Sequence, residues 1–228
     1  MSDYLSLEPA SSLTLSTYER VRADILNGHW SPGNKLGIEA LREHYDSGAT
    51  PVREALNRLA AEGWVQHLDQ RGFIVTPVSE DALRELATTR VWVETLALTQ
   101  SMQARSSAWE ERLVLALHRL ATTKRSLQLD AYVENPKWEK LHRELHMALL
   151  SNCGSRWLMG FCEQLYDQAY RYRQLAVRVS YKRRQELDEH KAVVDAVLAG
   201  DAALACQTLT AHYDKTAQII LNSGATET

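Results

Sequence analysis

The 228-residue sequence has no apolar run approaching the ~18 residues of a membrane-spanning helix, so a bilayer span is not expected. Its first residues, MSDYLSLEPASSLTLS, show no basic start followed by an apolar core and do not read as a secretory signal. Cysteine is scarce. Cys153, Cys162 and Cys206 are odd in number and form no CxxC pair, which fits a reducing cytoplasm better than a disulfide framework. No repeat of 20–50 residues is present. Positive charge is not in excess either: the formal net charge is −3, so any case for nucleic-acid binding has to rest on local features. What remains is an ordinary globular composition, 45% hydrophobic and 24% charged, at a length comfortable for two domains.

The chain changes character near RGFIVTPVS, residues 71–79. Ahead of it, short periodic segments alternate with turn signals. Val21, Ile25 and Leu26 are spaced for a helix over Tyr18 to Asn27, with Ser16 or Thr17 as N-cap and Gly28 as stop. SPGNKLG then reads as a turn into a short extended piece. Glu39 to Tyr45 forms a second helix, and DSGAT is a polar turn. Pro51 suits the first turn of a third helix, which runs to about Glu62 and closes at Gly63. WVQHL and GFIVTP are β-type runs around DQR, a hairpin. Three helices and a hairpin outline a winged helix-turn-helix over about residues 1–77.

Strand signals are absent after Ser79. SEDALRELATTRVWVETLALTQSM opens with a cap and an acidic first turn and carries Leu83, Leu86, Val91 or Val93, Leu96 and Leu98 on one face. Helices are predicted over Trp109–Leu129, Trp138–Leu150, Leu158–Val177, Tyr181–Leu198 and Ala202–Leu221, with Asp201 capping the last. The fold class is therefore mainly α, with an all-helical bundle over residues 78–228.

In a helix-turn-helix the second helix of the motif enters the major groove, N-terminal residues first. That helix begins here at TPVREALNRLAAEGW. Thr50 can bond a phosphate or a base, and Arg53, one turn in, can reach guanine with two hydrogen bonds. Arg58 lies on another side, toward phosphate or solvent. Arg71 and Gly72 sit at the hairpin tip, where Gly permits close backbone approach and Arg can enter the minor groove. The plain alternative is an amphipathic surface helix. Residues 1–78 favour it, with 7 Lys/Arg against 10 Asp/Glu.

At these residues the sequence resembles the GntR family of bacterial transcription regulators. ILNGHWSPGNKL, ATPVREALNRLAAEGWV and RGFIV follow that family's N-terminal pattern in order and spacing. The resemblance implies binding to double-stranded operator DNA, with Arg53 as the recognition-helix arginine and Arg71 and Gly72 as wing contacts. Two positions depart from the pattern. Gly48-Ala49 stand where the family usually has Ser or Thr followed by Arg, and Glu39 stands where some members have a DNA-contacting Arg. An operator unlike the commonest family sequence is expected.

Of eight histidines, four fall at telling positions in the helical half: His142, His146, His190 and His212. His142 and His146, at i and i+4, share one helix face about 5–6 Å apart at Cβ. His190 and His212 flank the apolar stripes of the last two helices. Facing helices build metal sites this way, but histidines bonded to a neighbour at the edge of a core give the same spacing. A zinc-peptidase motif is excluded. HRELH is neither HExxH nor HxxEH, and Glu144, two residues on from His142, is turned about 200° away. No enzymatic activity is expected.

The helical half also resembles the FCD effector domain of the FadR-type branch of the GntR family, through RVWVE, LHRELHMALLSNCGS, DEH and TAH. The resemblance implies metal ligation by His146, His190 and His212, with His142 standing where the family has Asp. Histidine can still ligate, and the loss of one negative charge shifts the expected divalent ion toward zinc or nickel. CGSRWL, QLYDQAYRYR and the His in the Asp position further resemble regulators of 4-aminobutyrate and glutarate catabolism. That likeness implies a small carboxylate effector such as a C5 dicarboxylate or hydroxy-dicarboxylate. Arg90 could clamp the far end of such a ligand or form a salt bridge along its helix, and Arg171 and Arg173 are further candidates. The resemblances together imply a cytoplasmic, homodimeric repressor with no membrane partner. A purely structural metal, a fatty-acyl effector or, behind these, a metalloenzyme built on the four histidines stays open beside it.

Overall fold

A computed structural model describes residues 10–68, 72–128, 130–180 and 186–223. The chain divides into two compact units between Val78 and Ser79.

In the N-terminal unit, α1 (Ala10–Leu26), α2 (Ile38–Tyr45) and α3 (Ala49–Ala61) pack with a sheet of β1 (Lys35–Leu36), β2 (Val65–Leu68) and β3 (Gly72–Val75). The strand order is β1-β3-β2, antiparallel throughout, with Lys35 opposite Ile74 and Val65 opposite Val75. Val21 and Ile25 of α1 meet Leu41 of α2, Val52, Leu56 and Leu59 of α3, and Trp64 and Val75 of the hairpin in one apolar cluster. Each such side chain contributes roughly 1.5–3 kcal/mol on burial. The α2–α3 turn needs a left-handed residue, supplied by Asp46 at φ 48°. The predicted start of the first helix is corrected here. α1 begins at Ala10, so Ser16 and Thr17 lie inside it rather than capping it, and buried Thr17 bonds Ser47 at 3.0 Å instead.

The C-terminal unit comprises α4 (Glu80–Gln103), α5 (Ser107–Ala121), α6 (Pro136–Leu150), α7 (Arg156–Ser180), α8 (Glu186–Ala199) and α9 (Ala202–Leu221). Side-chain caps set several of the starts: Ser79 accepts from the Ala82 amide, Ser106 from Trp109, Asn135 from Lys137 and Asp201 from Leu204. Leu98, Trp109, Leu113, Leu145, Leu149, Val197 and Leu209 fill the centre. Ser101 Oγ donates to the Leu150 carbonyl at 2.8 Å, tying α4 to α6.

Two expectations change. α5 ends at Ala121, not near Leu129, and the chain then turns through an isolated bridge between Ser126 and Glu134. Leu96 is 52% exposed, whereas Arg90 and Glu94 take the inner face of α4. The expected start of the next-to-last helix, Tyr181, falls outside the described residues, and α8 is seen from Glu186. Among the described residues no helix is long and apolar enough to cross a membrane.

Candidate metal and effector site

His142 and His146 come from α6, His190 from α8 and His212 from α9, and all four are buried. One ring nitrogen of each lies within 4.8 Å of the others'. His190 Nε2 is the hub, 3.0 Å from His142 Nε2 and 3.1 Å from His146 Nε2. A neutral ring holds either one proton or one lone pair at that atom, so it makes one well-directed hydrogen bond there, not two. An ion bound at ~2.0–2.1 Å by two imidazoles leaves their ring centres about 5 Å apart. The centres here are 4.6 Å apart for His142–His146 and His190–His212, and 5.1 Å for His146–His190. His212 Nδ1 donates to Glu189 Oε2 at 2.8 Å, which leaves its Nε2 lone pair for a ligand, a common outer arrangement at metal sites. The donor set fits a borderline divalent cation.

Burial drives the His142 imidazole well below its usual range, with the Arg173 guanidinium next in effect. His146 is lowered by burial and then by His190 and His212. Both rings are thus kept neutral, the form a metal requires.

Two buried arginines wall the same space. Arg90 Nε donates to Glu94 Oε1 at 2.6 Å, and its guanidinium lies 4.0 Å from the Tyr213 ring centre. Burial alone would lower the Arg90 pKa, but Glu94 raises it above the usual range. The Tyr213 hydroxyl also donates to Glu94. Arg173 NH2 donates to Glu139 Oε2 at 2.7 Å, and its NH1 lies 2.8 Å from His142 Nδ1, a nitrogen also 2.7 Å from the Tyr166 hydroxyl. The YRYR pair therefore splits. Arg173 joins the histidines, whereas Arg171 is buried away from that cavity, with NH2 unbonded and its pKa pushed down to about 10 by burial.

Glu94, Glu139, Tyr166, Tyr213 and Glu189 were not singled out as functional in the sequence. Only Glu94, at i+4 from Arg90, carried a spacing signal. The space enclosed by Arg90, His142, His146, Tyr166, Arg173 and His212 is ≈ 20 Å³, about enough for one water. Glu144 is exposed on the opposite face of α6, so no carboxylate base from HRELH faces the rings.

In the N-terminal unit, Thr50 and Arg53 are exposed on the first turns of α3. Arg58 is exposed too, but it pairs with Glu62 at 3.1 Å and lies 4.0 Å from the Tyr18 ring centre, so it also braces α3 against α1. Gly72 opens β3 at φ 84°, a left-handed conformation that glycine adopts without strain. Arg71 lies outside the described residues.

The pattern of the gntR family of bacterial regulatory proteins matches residues 13–75, and that of the FCD domain matches residues 85–215. The uncharacterized HTH-type transcriptional regulator BphR of Paraburkholderia xenovorans (strain LB400) is 38% identical over 213 residues, 93% of this chain and 87% of its own. The HTH-type transcriptional repressor GlaR of Escherichia coli (strain K12) is 29% identical, over 87% of this chain and 91% of its own. Two solved structures share the fold, each with a TM-score of 0.70. E. coli McbR/YncC is 20% identical, over 92% of this chain and 97% of its own. A putative GntR regulator from Rhodococcus sp. RHA1 is 22% identical, over 93% and 99%. With the two domain matches and a relative 38% identical over 93% of this chain, the chain belongs to the GntR family of transcription regulators, as a member with a C-terminal FCD domain.

Proposed function

We propose that this regulator is a homodimeric repressor, released from double-stranded operator DNA when a small dicarboxylate enters the four-histidine site beside a bound zinc or nickel ion. The observation that carries this reading is the convergence of four buried imidazoles with two buried arginines inside an FCD domain. His146, His190 and His212 would hold the ion, with His142 as fourth ligand. The ion supplies positive charge and open positions for a carboxylate oxygen.

The far carboxylate then needs a cation. Arg90 is already held by Glu94. Arg173 gives one nitrogen to Glu139 but turns the other to a neutral ring, so it is the arginine more readily drawn to an incoming carboxylate. With neutral ligands and two arginines around a divalent ion, a doubly charged anion is favoured over a neutral or fatty-acyl ligand. The name of the relative GlaR, a repressor, supports the sign of regulation. Dimerisation is supported by Trp92 and Leu96 on α4 and by Trp157 and Phe161 on α7, pairs one turn apart that are 52–72% exposed. Thr50, Arg53, Arg71 and Gly72 would contact the operator, and Arg58 its backbone.

The test is binding of the purified protein to DNA upstream of its own gene, followed by anisotropy while C4 to C6 dicarboxylates are added with and without chelator. Release by a C5 diacid, abolished by chelator and by Arg173→Gln, is the expected result. Operator affinity that stays constant under every diacid at saturation would refute it. The ≈ 20 Å³ of room favours a second reading, a metal that only braces the bundle. In that case chelator lowers the melting temperature and no diacid acts.

A further inference from the structure

A second group of metal-type ligands lies in the N-terminal unit. Asp24 in the last turn of α1, His29 in the turn after it and His44 near the end of α2 each bring one ligand-type atom within 4.8 Å of the others'. The chain holds these groups in place. Gly28 takes φ 76° and reverses the backbone as α1 ends. The His29 amide donates to the Asp24 carbonyl at 2.9 Å, which carries the His29 ring back over the helix. There it stacks on the His44 ring, with centres 5.0 Å apart and planes 27° from parallel. Trp30 meets the His29 ring edge-on at 4.8 Å and the His44 ring at 5.7 Å. Asp24 Oδ2 accepts from the Tyr45 hydroxyl at 2.6 Å, and that hydroxyl accepts from Trp30 Nε1 at 2.8 Å. His44 Nε2 stands 3.5 Å from the same carboxylate oxygen.

A surface His–Asp contact would account for His44 and Asp24. It leaves unexplained why a second imidazole lies nearly parallel at 5.0 Å, a centre-to-centre distance that two rings sharing one ion also require. We propose that Asp24, His29 and His44 form a solvent-facing site for zinc, nickel or copper, with water filling the remaining positions. Two imidazoles and one carboxylate select such borderline ions over magnesium or calcium, which take oxygen ligands. Tyr45 and Trp30 act as the outer shell that orients the carboxylate. An ion here ties the end of α1 to α2, the helix directly ahead of α3, so its effect falls on the DNA-binding unit. The site takes no ligand from the buried histidine cluster.

Calorimetric titration of the full chain with zinc decides the matter, after chelation and at about pH 7.5. The comparison is with a His29→Gln/His44→Gln double variant. Both rings are exposed, so the variant keeps the fold, and a metal-free melt checks this. The wild type should take up one equivalent more than the variant, excess magnesium should not displace it, and Tyr45→Phe should weaken it about 10–100-fold. Equal uptake by wild type and double variant overturns the proposal, as does a lost equivalent that binds only at millimolar zinc. The buried cluster contributes equally to both proteins, so failure here leaves the effector reading standing.

Discussion

Among the described residues, tyrosines aside, the DNA-binding unit buries one polar side chain, Thr17, whereas the effector unit buries a dozen, including Arg90, Glu94, Glu139, Arg173 and four histidines. Both units are mainly helical, although α2 and α3 start at Gly37 and Gly48 without the side-chain caps that open α4, α5, α6 and α9. The difference lies in what the interior is for. An apolar centre fixes the shape of the first unit and leaves Thr50 and Arg53, the proposed DNA contacts, exposed on its surface. A polar centre fills the second unit's interior with the side chains of the proposed site, at a cost in stability that only complete pairing contains.

Breaking the pairing inside the effector unit should have the largest effect. Glu94→Ala strands the buried Arg90 guanidinium and should cost about 3–5 kcal/mol, read as a lowered denaturation midpoint of that unit. Leu56→Ala, in the fully buried apolar face of α3, should cost about 2–5 kcal/mol by leaving a cavity, and its loss should not change with pH. Arg53→Ala sharpens the contrast from the other side. It should lose about 1–3 kcal/mol of operator affinity with no change in melting, because an exposed side chain has nothing to hold up.

Acid separates the units most gently. Burial holds His142 and His146 well below 6.5, and unfolding returns them toward it. Their contribution to stability is complete above about pH 6.5 and is lost as pH falls toward the folded values, because the unfolded chain binds the extra protons. Denaturation of chelated protein from about pH 8 to 5 should show stability falling by up to about 1.4 kcal/mol per pH unit for each ring. The N-terminal unit buries no histidine and should not show that component.

The same contrast explains what the sequence could show. Periodicity with caps located α4 and α9 closely, because Ser79 and Asp201 act within three residues of themselves. It misplaced the start of α1, where Thr17 turns to Ser47 across the fold instead of capping its own helix. The apolar rule put Leu96 inside α4, yet Glu94 takes that place because Arg90 and Tyr213 satisfy it. A hydrophobic pattern carries no mark of a partner 119 residues away. The histidines could be named because resemblance supplied their relation. Glu139, Tyr166 and Tyr213 are defined by contacts across helices that no local spacing records.

One contact has a consequence for how such a site could listen. Arg173 NH1 faces His142 Nδ1 at 2.8 Å, and a guanidinium can only donate. The neutral ring must therefore keep its proton on Nε2, the atom turned toward His190. The residue standing where the FCD resemblance implies an aspartate is held in the tautomer that donates rather than ligates. On the proposed function, a carboxylate that drew NH1 away would free the ring to shift that proton and offer Nε2 to a cation. Anion and cation would then strengthen one another by the same factor, in whichever order they arrived. Such a site would report the coincidence of two solutes, not the concentration of either.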